Sequence, residues 1–178
     1  MEWLTALAGV VLGAALSWLT NATQTAGARR RAAGYLSRRL VIALDELVVG
    51  SARVVNDARS LGDDTYDYEY HWRMPERLAL PTDGDWTALD PSEAEAAMRL
   101  AVRVELAIQE IRVAAHYDTD AAGAAVDDHF SRIGLDADTL AISLRRKYNI
   151  AARELIGEWD PVDELRAARA QADERNSK

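Results

Sequence analysis

No cysteine occurs anywhere in the 178 residues. That single absence excludes a disulfide framework, a thiolate metal site and a cysteine nucleophile. Only one Phe and four Pro are present, and the apolar share leans on Ala, Leu and Val, a balance that favours helices over a sandwich or barrel. The chain also lacks GxxxxGK followed by Ser or Thr, GxGxxG after a strand, GxSxG and HExxH. Phosphate-loop nucleotide binding and the commonest hydrolase and zincin chemistries go with them. No repeat of about 20–50 residues is visible, so a solenoid is not indicated.

What is there fits one domain with a core plus an appendage. The net charge of -8 is unevenly spread: residues 1–60 hold seven Arg against four acids (+3), and residues 61–178 hold fourteen Lys and Arg against 25 acids (-11). An acidic body repels phosphates, which argues against nucleic acid as a partner.

From Trp3 to Leu19 no residue is charged. At about 1.5 Å per residue these positions span roughly 25 Å of a hydrocarbon core of about 30 Å, and the uncharged residues from Thr20 to Ala28 can supply the missing turn. Trp3 and Trp18 stand near the two ends, where amphipathic rings prefer the headgroup level. Arg29, Arg30, Arg31, Arg38 and Arg39 follow with no acid among them, and Glu2 alone is charged on the other side. That asymmetry predicts a single transmembrane helix, N-terminus outside and body in the cytoplasm, in the inner (cytoplasmic) membrane. Ala26-Gly27-Ala28 resembles a signal-peptide cleavage site, but the positive n-region of a signal peptide is missing. The arginines can also meet anionic headgroups, making lipid an expected partner. Thr5, Gly9, Gly13 and Ser17 recur every four residues, a small-residue face through which two copies can approach; Gly and Ala are also frequent in spans for other reasons.

The remaining chain, residues 28–178, reads as an all-α body, a soluble antiparallel helical bundle. Leu36, Leu40, Ala43, Leu47, Ser51, Val54, Ala58 and Leu61 step by three and four, widened by Leu44, Val48 and Val55. They predict a trunk helix starting near Ala28 and stopping at Gly62. Residues 62–90 form an irregular strap in which Tyr66, Tyr68, Tyr70 and Trp72 alternate with Asp67, Glu69 and His71, the period of an extended segment. Trp86 is placed to plug the core. Asp90-Pro91-Ser92-Glu93 is a helix start with N-cap, Pro at the first position and a capping-box Glu. Ala97, Ala101, Val104, Ile108, Ile111 and Ala115 then share one face. The trunk and this helix are predicted to run antiparallel, their contact forming the spine. A third helical stretch covers Thr119 to Tyr148, with Gly134 a candidate break within it; Leu140, Leu144, Tyr148, Ala151 and Leu155 are on its inward side. Asp160-Pro161 opens a last helix, reaching about Glu174 and lying loosely on the surface.

The Arg-rich helix after a short span, Leu80-Pro81 through Trp86, Leu144-Arg145-Arg146-Lys147-Tyr148-Asn149-Ile150 and Trp159-Asp160-Pro161 together resemble a group of small membrane-anchored bacterial proteins of unknown function. The resemblance covers most of the chain and implies the same topology and a bacterial origin, but no activity. The glycine expected after Tyr148 is Asn149 here.

Chemistry would have to come from histidines and acids. His116-Tyr117-Asp118 and Asp127-Asp128-His129 border adjacent ends of the second and third helices, and imidazole with carboxylate suits a divalent transition metal if the groups converge. His116, Asp118, Asp127, Asp128 and His129 are therefore the metal candidates of a membrane-tethered hydrolase. Capping and solubility explain Asp-rich helix starts equally well. Arg145-Arg146-Lys147 reads as a solvated basic helix end. With no cofactor implied and no catalytic motif found, the favoured function is an interaction or scaffold module at the inner membrane face, self-associating or bound to a cytoplasmic protein.

Overall fold

A computed structural model describes residues 2–60, 78–155 and 157–177, with side chains from residue 23 onward except 60 and 119. These residues form four α-helices, α1 Glu2–Ser60, α2 Pro91–Tyr117, α3 Thr119–Tyr148 and α4 Pro161–Asn176, with a one-turn 3-10 helix at Trp86–Ala88. The described residues are helical without strands, as composition predicts. The aromatic strap of Tyr66, Tyr68, Tyr70 and Trp72, the proposed stop at Gly62 and Leu61 lie outside the described residues. So do the side chains of Trp3, Trp18, Thr5, Gly9, Gly13 and Ser17. Among the described residues, no helix is long and apolar enough to cross a membrane.

The trunk does not begin near Ala28. It is one helix of 59 residues from Glu2, because nothing between Leu19 and Ala33 breaks a helix: no proline intervenes, and the lone Gly27 costs only about 1 kcal/mol. Among the described side chains, burial starts at Ala33. From there Leu36, Leu40, Leu44, Leu47, Val48, Ser51, Val54 and Val55 are all sealed from solvent.

The spine is α3, not a contact between α1 and α2. Helices α1, α2 and α4 all pack on α3, whereas α1 and α2 scarcely touch. Pairings along the helices give the directions. Asp45 of α1 meets Arg145 of α3, and Arg59 meets Asp127. On the α2 side Glu93 meets Lys147, Arg103 meets Asp136 and Glu110 meets His129. In both cases later residues meet earlier ones, so α1 and α2 are each antiparallel to α3 and parallel to one another. Arg169 of α4 reaches Asp128 and Arg175 reaches Asp127, so α4 also opposes α3.

Toward its partners the central helix mixes small and large side chains: Ala122, Val126, Phe130, Ile133, Ala137, Ala141 and Leu144, all buried. Gly134 does not interrupt it. A Cβ there would stand 2.5 Å from Cδ1 of Leu165 and 3.1 Å from Cβ of Ser51. This glycine is the point where α1 and α4 close on α3. Helix α4 is likewise not loose, since Val162, Leu165, Ala168 and Ala172 bury its inner stripe.

Helix ends follow their local chemistry. Asp85, Asp90, Asp118 and Asp160 each cap a helix through a side-chain oxygen that accepts from backbone N–H groups. Glu93 turns away from the expected capping box toward Lys147, 3.1 Å away. At the far end of α3, Asn149 is left-handed (φ 51°, ψ 54°), and the N–H groups of Asn149 and Ile150 both donate to the Arg145 carbonyl. That conformation favours Gly or Asn, which accounts for Asn149 where glycine was expected. Beyond it Ala151 and Leu155 are exposed rather than inward.

Candidate membrane-proximal surface and the charged clusters

Two of the five clustered arginines are committed within the fold. Arg29 donates to the Thr87 carbonyl at 2.8 Å, and Arg39 pairs with Asp83. A hydrogen bond with Tyr35, then the Asp83 carboxylate, raises the Arg39 pKa further above its ordinary value. These contacts clip residues 83–87 to the middle of α1, where its buried stripe begins among the described side chains, and Trp86 donates its indole N–H to the Pro81 carbonyl at 3.1 Å and packs on the core. Arg30, Arg31 and Arg38 are exposed and have no ion pair among the described residues. Arg31, Tyr35, Arg38 and Ile42 fall at helical spacing on one open face, with Tyr35 and Ile42 solvent-exposed.

At the same end α3 meets the start of α2. Lys147 bridges Glu93 at 3.1 Å and Asp90 at 3.5 Å, and the Tyr148 hydroxyl donates to Glu93 at 3.4 Å. Burial and then the Glu93 carboxylate push the Tyr148 phenol up. For Lys147, partial burial is the largest influence and opposes its charge, but Glu93 and Asp90 outweigh it and raise the pKa. Asp90 is held below the usual carboxylate range by its two hydrogen bonds from Ser92, assisted by Lys147. The basic run at 145–147 is thus largely spent on tertiary contacts instead of forming a solvated helix end.

Arg145 belongs to a second, more enclosed cluster. It pairs with Asp45 and donates through Nε to the Ala151 carbonyl at 3.0 Å. Arg153 donates to Asp45 at 2.9 Å and to Asp138 at 3.0 Å. Two cations and two anions, each no more than 22% exposed, bind the return segment after α3 against α1 and α3. The charges balance, so the arrangement locks a chain path and leaves no free group for chemistry. The sequence held one sign of it: Asp45 is a charge set directly after Leu40-Val41-Ile42-Ala43-Leu44.

The histidine and aspartate candidates do not come together. Asp118 caps α3, accepting from the N–H groups of Asp120 and Ala121. Since α3 starts directly after it, Asp127 lies nine residues on, about 13 Å along the axis. Asp127 is buried toward α1 and α4, with Arg59 at 3.4 Å and Arg175 at 3.0 Å. Asp128 is taken by Arg132 at 3.0 Å and Arg169 at 2.9 Å. His129 faces α2, its Nε2 lying 3.1 Å from Glu110, and His116 stacks edge-on against Tyr117 in solvent. Among the described residues no group of three or more His, Asp or Glu side chains is placed to hold a metal ion. Asp127 and Asp128 are instead each paired with two arginines.

A groove of about 370 Å³ is lined by Thr139, Ile142, Ser143, Arg146 and Lys147. All five belong to α3, so it is a furrow on one helix with no second element converging on it. Comparison with known protein families, with curated proteins and with solved structures finds no match to the chain.

Proposed function

We propose that the chain is a single-pass membrane protein whose helical body stands at the cytoplasmic face of the inner membrane as an interaction or scaffold module. The observation that carries this reading is continuity. The uncharged stretch Trp3–Leu19, the arginines and the buried trunk belong to one helix of 59 residues. An anchor built this way leads into its body without a hinge, and Ala33, the first buried residue among the described side chains, stands about 20 Å beyond Leu19. The body is then held at a set height and orientation. A module that presents a surface to partners benefits from such a mount.

The same ruler sorts the arginines. Along an upright α1, Arg29 to Arg31 lie about 15–18 Å past Leu19, near the outer edge of the headgroup layer and within about one Debye length of it. Arg38 and Arg39 are about 10 Å further out. Headgroup attraction therefore falls to the first group, while all five count toward orientation. Asp127, Asp128 and His129, meant for a hydrolase, are engaged by Arg59, Arg175, Arg132, Arg169 and Glu110, so the reading assigns the body no reaction.

The test is a reporter fused after Lys178, combined with alkaline carbonate washing of membranes. A cytoplasm-dependent reporter should be active and the chain should stay in the pellet. Activity of an export-dependent reporter alone, or release by carbonate, overturns the reading.

A further inference from the structure

Helix α2 packs on α3 by one face, through Ala97, Leu100, Val104, Ala107, Ile108 and Ile111. Its opposite face is apolar as well. Met98, Val102, Leu106, Val113 and Tyr117 are all exposed, with Leu106 at 58% and Val113 at 61%. Together with Gln109 they follow steps of four, four, three, four and four. Residues 98, 102 and 106 thus recur as 109, 113 and 117, an interval of eleven. An eleven-residue repeat is close to the natural turn of a helix, so the stripe runs nearly straight along α2 instead of spiralling off its face.

We propose that this stripe is the surface on which two copies of the chain pair, α2 against α2, parallel and in register; the direction rests on the membrane-anchored reading above. Two copies in one membrane share the direction of α1. Because α2 is parallel to α1, a two-fold axis along the membrane normal sets the two α2 helices side by side in the same sense. Each stripe residue then meets its own counterpart. The borders also fit: Glu110 lies on one side of the stripe and Arg112 on the other, and in a parallel pair these opposite borders face across the interface. Neither Arg112 nor the exposed Glu110 is enclosed by its own chain.

Size explains why the pair needs the membrane. A stripe about 30 Å long and one helix, about 10 Å, wide offers on the order of 300 Å², below the roughly 800 Å² per partner of a stable interface. Confinement to one membrane raises the effective concentration and fixes orientation, compensating for the small area. Different partners in the cytoplasm would have no such advantage.

The native absence of cysteine allows a direct test in the full chain, in membranes. Met98→Cys, Leu106→Cys and Val113→Cys, introduced one at a time, are exposed to a mild oxidant, with Ala167→Cys on the outer side of α4 as control. In-register pairing brings like positions within disulfide reach, and all three should form covalent dimers about tenfold faster than the control. Adding Leu106→Glu should abolish the Met98→Cys dimer, and as Leu106 is exposed the fold should be unchanged by circular dichroism. Rates equal to the control overturn the pairing. Linkage at Leu106→Cys without Met98→Cys and Val113→Cys would mean an antiparallel pair and overturn it too. Carbonate washing of the same membranes separates the two readings: a retained chain that does not crosslink refutes the pairing alone, and a released chain refutes the anchor.

Discussion

Helices α2 and α3 are alike in length, 27 and 30 residues, and both carry apolar residues around much of their circumference. They are used in opposite ways. Helix α3 is contacted by α1, α2 and α4 and spends its apolar positions inside the fold. Helix α2 contacts α3 on one side and presents a second apolar face to solvent. Apolar content alone therefore does not locate the centre of a bundle; the number of neighbours does. On α3, Gly134 lets α1 and α4 approach closely, since a Cβ there would meet Leu165 and Ser51.

The comparison breaks most readily at the core. Phe130→Ala on α3 should cost about 3–5 kcal/mol, and Leu47→Asp on the trunk should cost at least as much, roughly 1.5–3 kcal/mol of lost burial plus the desolvation of a carboxylate. Leu106→Ala on α2 should change stability by less than about 0.5 kcal/mol. Denaturant unfolding followed by circular dichroism measures all three, and a fully stable Leu47→Asp protein would remove α1 from the core.

Next in size is the enclosed cluster that ties the return segment to α1 and α3. Removing Arg153 leaves Asp45 with Arg145 and strands Asp138; Arg153→Ala should cost roughly 2–3 kcal/mol, less than the 3–5 kcal/mol of a fully buried pair because these groups keep some solvent. Comparable loss is expected for Gly134→Val, where overpacking costs about 1–3 kcal/mol. Leu165→Ala should partly rescue that variant, since Leu165 supplies the nearest colliding atom; absence of coupling in the double-mutant cycle would place the crossing elsewhere.

The smallest effects come from single polar groups. Ser51 keeps a buried hydroxyl without a hydrogen-bond partner, so Ser51→Ala should be neutral or stabilising by up to about 1 kcal/mol. Tyr148, with its pKa raised by burial and Glu93, should ionise above the ordinary phenol value in an absorbance titration. In the window between the unfolded and folded values the native state holds more protons, so stability associated with this group is complete below about pH 10 and falls as pH rises through the folded value. Glu93→Gln should lower that step without returning it fully to the ordinary value.

Sequence periodicity located the buried part of α1, α2 and α3, and Asp90-Pro91 and Asp160-Pro161 marked the starts of α2 and α4 because a cap and a fixed φ are local chemistry. The partnership of helices was not legible. Gly134 looked like a break because its packing role depends on Leu165 and Ser51, which are distant in sequence. Asp127, Asp128 and His129 looked like one cluster because they are adjacent in the chain. On a helix they diverge, and the arginines that meet the two aspartates come from α1, α3 and α4. Arg31 and Arg38 look the same in sequence as Arg29 and Arg39, yet only the latter two find Thr87 and Asp83.

The central claim is that α1 and α2 are parallel, joined through α3 rather than to each other. Paired spin labels at Asn56 and Arg112, and separately at Asn56 and Glu95, diluted with unlabelled chain, measure it in a cysteine-free background. Arg112 and Glu95 differ by about 25 Å along α2. The account predicts the shorter distance for Asn56 with Arg112. A shorter distance for Asn56 with Glu95 would mean that α2 is antiparallel to α1, and would contradict both the α3-centred fold and the in-register pairing built on it.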